Sequence, residues 1–300
     1  MGKLLIISGP TATGKTHLAA NIAQKIKGEL VSADSRQLYK YMDIGTGKDR
    51  PTGVVIHLLD IIEPSCPFSV AQYQRLAFDK VREVLDKKRL PIVVGGTPQY
   101  IDAFINPVKE TFSVKPSWPL RRLLNIMPLR LLQKILMSLD PESYKSLNRS
   151  DENNPRRLIR KIELKLFHHP STVIEFPKYD IFHINLTAPN NVIYERIDRR
   201  VAERLKSGLM AEIKNLKNIY SWADPGMNTL AYKEFKEYFR DPSFQKLNAA
   251  IERWKYDEHA YFRRQKTFFR KIPSDVVIDV TDPQKIRTIN NKVLEWYNKP

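Results

Sequence analysis

Short apolar runs alternate with amphipathic stretches over the first 110 residues of the chain. The apolar runs predict buried strands, and apolar residues at helical spacing between them predict helices. This alternation is typical of an α/β fold with a parallel sheet flanked by helices. The predicted strands are Leu4–Ser8, Leu30–Ser32, Val54–Leu59 and Leu90–Val94, and the predicted helices are Thr16–Lys27, Ser69–Lys88 and Thr97–Ile105.

The alternation stops between residues 106 and 119, where three prolines interrupt any regular element. We interpret this stretch as the departure into an inserted helical subdomain, residues 111–177, with residues 1–110 and 178–300 as the core. In the second part of the core the pattern predicts strands at Asp180–Leu186 and Val276–Asp279, one long helix at Asn190–Tyr220, and helices at Tyr232–Phe239 and Phe244–Arg270.

A glycine-rich motif, G-x-x-x-x-G-K-T, directly follows the first predicted strand and precedes a predicted helix. In this context the loop amides and the helix N-terminus bind phosphate oxygens, the lysine contacts the outer phosphates, and the last hydroxyl is placed to hold Mg²⁺. The motif leaves open whether the phosphate is transferred, hydrolysed or expelled as a leaving group. The residues predicted to bind a diphosphate or triphosphate are Gly9, Pro10, Thr11, Ala12, Thr13, Gly14, Lys15 and Thr16, with Thr16 also as the metal ligand.

The net charge of +17 indicates a polyanionic partner. Residues 1–110 carry 15 Lys and Arg against 11 Asp and Glu, so +13 of the charge lies in the rest of the chain. A lysine-rich coat on a soluble protein is the alternative. With one cysteine, no membrane-length apolar run and no signal-peptide pattern, we expect a cytoplasmic protein without intrachain disulfides. Separately, we expect it to be a monomer.

Further polar residues follow the predicted strands. Asp34, after the second strand, is equally consistent with a base or Mg²⁺-linked group at the phosphate site and with a helix cap. Lys48, in a glycine-rich loop, is either a phosphate ligand or part of an ordinary loop. Asp60 is either metal-linked or a turn residue, and His57 is expected to be packed. Because no acidic residue follows Val94, simple ATP hydrolysis is disfavoured.

Arginines recur at helical spacing in two segments. Arg156 and Arg160 share one face and suit phosphate or base contacts, although a solvated basic face explains them as well. Arg196 and Arg200, with Arg199 beside them, are placed to neutralise a leaving group, unless they belong to a surface ion-paired helix. The segment after residue 252 interleaves basic and aromatic residues, so we expect it to bind nucleic acid and pack into the core at once.

Together these segments resemble the tRNA dimethylallyltransferase (tRNA isopentenyltransferase) family in its compact bacterial form. The resemblance extends over residues 9 to about 271, and its two most specific segments come first. The matching segments, in order, are GPTATGKT, SADSRQLYKYMDIGTGK, HLLDIIEP, GGT, NPRRLIRKIE, RIDRR, SGLMAEIKNL, LAYKE and YFRRQKTFFRK.

The resemblance implies a P-loop, kinase-like parallel sheet with an inserted helical tRNA-binding subdomain. It implies Mg²⁺-assisted transfer of a dimethylallyl group from dimethylallyl diphosphate to N6 of the adenosine on the 3′ side of the anticodon. Asp34 matches the general base. Residues matching diphosphate ligands are Thr11, Lys15, Thr16 and Arg200, with Arg196 as second choice. Residues matching tRNA contacts are Asp34, Ser35, Arg36, Gln37, Thr97, Arg156, Arg157, Leu158, Ile159 and Arg160.

The chain departs from the family pattern at three places. Ala231 stands where the family usually has glycine, Pro98-Gln99 replaces the usual residues after the GGT turn, and residues 112–136 match poorly. Three other functions are consistent with parts of the chain. They are a P-loop small-molecule kinase, an isopentenyltransferase acting on free adenine nucleotides, and a non-catalytic RNA-binding ATPase or adaptor.

Overall fold

A computed structural model describes residues 2–106, 114, 117–167 and 177–299. Within this part of the chain the structure divides into two compact units. The sheet unit comprises the described residues up to 105 and from 178 onward, and the helical unit lies between residues 106 and 177. The predicted first residue of the insertion, 111, is outside the described residues.

The sheet unit contains a six-stranded sheet in which every strand pair is parallel. The strand order is β3-β2-β4-β1-β5-β6. Leu4 to Ile7 in β1 are completely buried, as expected for a central strand covered on both faces. The strands are β1 (Gly2–Ser8), β2 (Glu29–Ser32), β3 (Ile56–His57), β4 (Pro91–Gly95), β5 (Tyr179–Thr187) and β6 (Val276–Asp279).

The helices of this unit begin with α1 (Lys15–Ile26), α2 (Val70–Asp86) and α3 (Pro98–Ile105). Ser69 and Gln72 form a reciprocal capping box at the start of α2. The helical unit contains α4 (Trp118–Asn125), α5 (Leu129–Leu139), α6 (Pro141–Lys145), α7 (Arg149–Glu152) and α8 (Pro155–Phe167), which enclose a small leucine- and isoleucine-rich core.

The remaining helices of the sheet unit correct the sequence prediction. The single helix expected over residues 190–220 is two helices, because Gly208 adopts φ +101° and starts a new one. A C-terminal helix that was not predicted packs on the sheet through Ile289 and Val293. These helices are α9 (Asn190–Lys206), α10 (Leu209–Lys217), a 3₁₀ turn (Lys233–Phe235), α11 (Lys236–Arg240), α12 (Phe244–Phe269) and α13 (Pro283–Asn298).

The aromatic residues of α12 lie in the core while its basic residues stay outside, as expected from the interleaved pattern. Trp254 and Phe262 are completely buried, and the adjacent Arg263 is exposed. No helix among the described residues combines the length and apolar character that crossing a membrane requires.

Candidate functional site

The carboxyl ends of neighbouring strands bring three loops together at one edge of the sheet. Ser8 at the end of β1 lies beside Gly95 at the end of β4, and β2 pairs with β4 in the same direction. A Cβ at Gly95 would lie 2.1 Å from the Ala33 carbonyl oxygen, so only glycine permits this approach. The phosphate loop, the Asp34 segment and the Thr97 turn therefore surround one crevice, where open α/β sheets bind ligands.

The loop between β1 and α1 is held in shape by its own hydrogen bonds. The Pro10 carbonyl oxygen accepts hydrogen bonds from Thr13 Oγ1 at 2.9 Å and from Lys15 Nζ at 3.2 Å. At Gly9 a Cβ would come within 2.7 Å of the Leu186 carbonyl oxygen on β5. Gly9, Pro10 and Thr13 thus shape the loop, whereas the other residues of the motif line the crevice.

A cavity of about 340 Å³ lies beside this loop. Its walls also come from the segment after β2, the end of β4, α9 and α12. Its described lining carries six Lys and Arg against four Asp and Glu, a surplus suited to an anion. The structure brings these predicted site residues together in the lining: Thr11, Ala12, Gly14, Lys15, Thr16, Asp34, Arg36, Gln37, Arg196, Arg199 and Arg200.

Three arginines along one face of α9 point toward the cavity. Arg196 donates to the Ala12 carbonyl oxygen at 3.3 Å, and Arg204, two turns later, donates to the Gly45 carbonyl oxygen at 3.1 Å. Burial, with the charge of Arg200, lowers the pKa of Arg204 to about 10, and Glu258 opposes this shift. The binding of an anion stabilises such a desolvated row of cations.

Lys15 is the other strongly perturbed cation. Burial lowers the pKa of Lys15 to about 8, the charge of Asp34 raises it in part, and Arg200 lowers it further. The ammonium group is therefore poorly compensated without a bound anion, and phosphate oxygens would supply the missing counter-charge.

Asp34 is placed for both of the roles that the sequence left open. Its Oδ1 accepts the backbone N–H of Arg36 at 3.0 Å, which is the turn-capping role. The same carboxylate lines the cavity, and it makes no ion pair with any described residue. A carboxylate that is fixed at one oxygen and unpaired is suited to accept a proton from a ligand.

A second cavity, of about 320 Å³, adjoins the first. The two share Arg36 and Tyr261, and the consecutive residues Asp34 and Ser35 line one cavity each. Thr97 fixes this junction, because its Oγ1 accepts the Ser35 N–H at 2.9 Å and donates to Ser35 Oγ at 3.1 Å. The aromatic side chains of the second cavity are Tyr39, Phe68, Tyr100 and Tyr261.

Comparison with known proteins decides the family. Residues 37–272 match a family model described as IPP transferase, and residues 2–62 match one described as isopentenyl transferase. A tRNA dimethylallyltransferase from Roseiflexus sp. (strain RS-1) is 38% identical over 297 residues, which cover 94% of this chain and 95% of that protein. The chain belongs to the IPP transferase family. A relative with the same name from Geobacillus thermodenitrificans (strain NG80-2) is also 38% identical, over 94% of this chain and 92% of its own.

Solved structures share the fold of this IPP transferase. The full-length tRNA isopentenylpyrophosphate transferase from Bacillus halodurans has a TM-score of 0.71 and 33% identity, covering 99% of this chain and 97% of its own. A eukaryotic dimethylallyltransferase acting on tRNA has a TM-score of 0.82 at 24% identity, a likeness of fold, covering 100% of this chain and 81% of its own. The predicted family and the predicted P-loop α/β fold are confirmed.

Lys48 and Asp60, which the sequence suggested as site residues of this IPP transferase, do not line the cavity. Lys48 Nζ contacts Asp60 at 2.5 Å and Asp43 at 3.0 Å, and the lysine side chain is completely buried. The prediction that Lys48 reaches phosphate is therefore wrong, and Asp60 serves as its counter-ion instead of as a metal ligand. His57 is packed as predicted, with Nε2 2.6 Å from Glu29 Oε2.

The basic segment of the helical unit is divided between its core and its surface. Leu158 and Ile159 are 0% and 3% exposed in the core of this unit, so their side chains support the surface and do not form it. Arg160 donates to Glu163 Oε2 at 3.1 Å, and Arg157 is ion-paired with an aspartate. Of the predicted segment, only Arg156 is exposed and without an ion-pair partner among the described residues.

Sequence reasoning missed the contribution of α12 to the site. Gln265 Oε1 accepts the Thr11 N–H at 2.9 Å, and its amide nitrogen donates to the Gly96 carbonyl oxygen. Glu258, about two turns earlier on the same helix, lines the cavity together with Gln265. Arg204 was also missed, although its spacing continues the series of Arg196 and Arg200.

Proposed function

We propose that the chain transfers a dimethylallyl group from dimethylallyl diphosphate to N6 of an adenosine in tRNA, with release of diphosphate. The acceptor is the adenosine that adjoins the anticodon on its 3′ side. The observation that carries the proposal is the unpaired Asp34 carboxylate at the junction of a phosphate-binding cavity and an aromatic cavity. An ATPase, whose acceptor is water, has no need for an aromatic acceptor cavity.

The diphosphate is the leaving group, and the first cavity suits it. The bond between the allylic carbon and the diphosphate oxygen breaks as the bond to N6 forms. Negative charge then accumulates on oxygens facing the loop amides, Lys15, Arg196 and Arg200. We assign the diphosphate to these groups, together with Thr11 and Thr16.

Mg²⁺ is consistent with this cavity. The ion takes only one or two protein oxygens beside phosphate oxygens and water. The Thr16 hydroxyl, in the cavity lining beside Lys15, is suited to be such a ligand. When bound, the ion would neutralise part of the diphosphate charge. No cluster of three acidic, histidine or cysteine ligands occurs in the described part of the chain, which agrees with a site built mainly on substrate oxygens.

The acceptor adenine belongs in the second cavity. Its lining is aromatic, and extruded bases are held by aromatic side chains. From there the exocyclic amine meets Asp34, which accepts the proton that N6 loses as the new bond forms. An amine of this kind is a weak nucleophile, so most of the acceleration comes from the diphosphate site.

The basic excess beyond residue 110 favours tRNA as acceptor over a free nucleotide. The match of residues 2–62 to the isopentenyl transferase model does not distinguish tRNA from a free adenine nucleotide as acceptor. That segment carries the phosphate loop and Asp34, which both reactions require. The monomeric state and the cytoplasmic location stay predictions.

Transfer of radiolabel from dimethylallyl diphosphate tests the proposal. Unmodified tRNA, AMP and ATP are offered in parallel reactions with the purified protein. We expect label in tRNA alone. Label in AMP or ATP would move the assignment to the free-nucleotide reaction, and label in none of them would refute prenyl transfer.

A further inference from the structure

A buried ion pair stands between the two cavities. Arg36 Nη1 lies 3.1 Å from Glu258 Oε1, and the two side chains are 15% and 5% exposed. The guanidinium carbon is 4.0 Å from the centre of the Tyr261 ring, within the distance of a cation–π interaction. Trp254 Nε1 also donates to Glu258 Oε1, at 3.4 Å. The guanidinium is thus held by a carboxylate and an aromatic face.

A carboxylate in an anion-binding cavity is unexpected. Burial opposes its charge, but Arg36, then Arg204, the hydrogen bond from Trp254, and Arg200 keep the pKa of Glu258 below its ordinary value. Glu258 is therefore ionised in a cavity whose ligand is negative. A buried ion pair is a poor source of stability, since an apolar pair of similar volume is often as stable. Stability alone therefore does not explain this ion pair, which points to a role in the site.

Besides Glu258, the carboxylate whose charge acts on Arg36 is Asp34. Asp34 is two residues away, it accepts the backbone N–H of Arg36, and its charge contributes, after Glu258 and Tyr261, to the raised pKa of Arg36. Released from Glu258, the guanidinium could pair with the Asp34 carboxylate in bidentate fashion. The charged and titratable groups facing Asp34 are Lys15 from α1, Tyr73 from α2, Tyr100 from α3, Arg36 from its own loop and Tyr261 from α12.

We propose that Glu258 is a positioning residue that holds the Arg36 guanidinium against Tyr261 and so leaves the Asp34 carboxylate free for the acceptor amine. This inference rests on the proposed function, in which Asp34 takes the proton. It assigns to Glu258 no contact with either substrate.

The test compares Glu258→Gln with Glu252→Gln, the same change at an exposed position of α12. We expect Glu258→Gln to lower kcat about tenfold to hundredfold at saturating substrates, because a base paired with arginine loses part of a contribution of roughly 10² to 10⁴. The KM for dimethylallyl diphosphate stays within about threefold. The acidic limb of kcat against pH moves down by about 1 to 3 pH units, because a carboxylate paired with a cation stays ionised at lower pH.

The double variant Arg36→Met/Glu258→Gln separates positioning from a structural role. It removes the guanidinium that would pair with Asp34, so we expect it to regain at least about a third of the kcat lost in Glu258→Gln. It also leaves two uncharged side chains in the buried site, and thermal unfolding checks that both variants fold.

Two results would overturn the inference while the wild type remains active. One is an unchanged kcat and acidic limb in Glu258→Gln, and the other is a double variant no faster than the single one. A wild type that transfers no label would refute the proposed function itself, and the inference with it.

Discussion

We expect Lys15 to give diphosphate binding a pH dependence that an ordinary lysine would not give. Burial lowers the pKa of Lys15 to about 8, with Asp34 opposing the shift and Arg200 adding to it. A lysine loses its positive charge as pH rises through its pKa. The form that holds an anion is therefore present below about pH 8 and is lost above it.

The size of the effect follows from the charged fraction. If only the charged form binds, the apparent Kd equals the intrinsic Kd divided by that fraction. With a pKa of about 8, the fraction falls from roughly nine tenths at pH 7 to roughly one tenth at pH 9, so Kd rises about tenfold. A lysine with the ordinary value of 10.5 would leave Kd nearly constant over this interval.

Isothermal titration calorimetry with dimethylallyl diphosphate in metal-free buffer measures this directly. Titrations in two buffers of different ionisation enthalpy at pH 9 should show uptake of nearly one proton. The matched control is Lys15→Arg, which stays charged throughout and should bind with no step between pH 7 and 9. A flat wild-type Kd, or the same rise in Lys15→Arg, would refute the reasoning.

Three further predictions follow from single side chains. Asp34→Asn lowers kcat by about 10² to 10⁴ but leaves the Kd for tRNA within about threefold, since the site loses a base and keeps its shape; equal losses in both would remove Asp34 as base. Arg156→Ala weakens tRNA binding and reduces the slope of log Kd against log salt by about 1, and an unchanged slope would make Arg156 a merely solvated charge. Ala231 is buried at φ +76°, which strains the alanine backbone by about 1 to 2 kcal/mol. Replacement by glycine relieves this strain, but the loss of the buried methyl group and the greater chain entropy of unfolded glycine nearly offset the gain in stability. Urea unfolding should therefore place Ala231→Gly within about 1 kcal/mol of the wild type and Ala231→Val more than about 2 kcal/mol below it; a stable valine variant would contradict the strain.

The parts of the site that sequence could predict are those encoded locally. Lys15 and Asp34 follow strands and belong to contiguous segments, so their place at one sheet edge can be inferred from strand order alone. Gln265 contacts Thr11 across 254 residues of sequence, and no local pattern marks that pairing. The Glu258 and Arg36 pair was missed for the same reason, with 222 residues between them.

The errors in the fold have different physical causes. Gly208 ends one helix and begins another, but a single glycine within a helical pattern is also tolerated in continuous helices. Lys48 was misread because its counter-ion, Asp60, comes from another loop. The C-terminal helix could have been predicted from its sequence, because Asp282 is an N-cap residue before Pro283 and apolar residues follow at helical spacing.

Mapping the product nucleoside tests whether the chain prenylates N6 of the adenosine on the 3′ side of the anticodon. Unmodified tRNA is incubated with dimethylallyl diphosphate and the protein, digested to nucleosides and oligonucleotides, and analysed by mass spectrometry. We expect one prenylated adenosine, on N6, at the position 3′ of the anticodon, and almost none with Asp34→Asn. Modification at another position or atom, or undiminished modification with Asp34→Asn, would contradict this expectation.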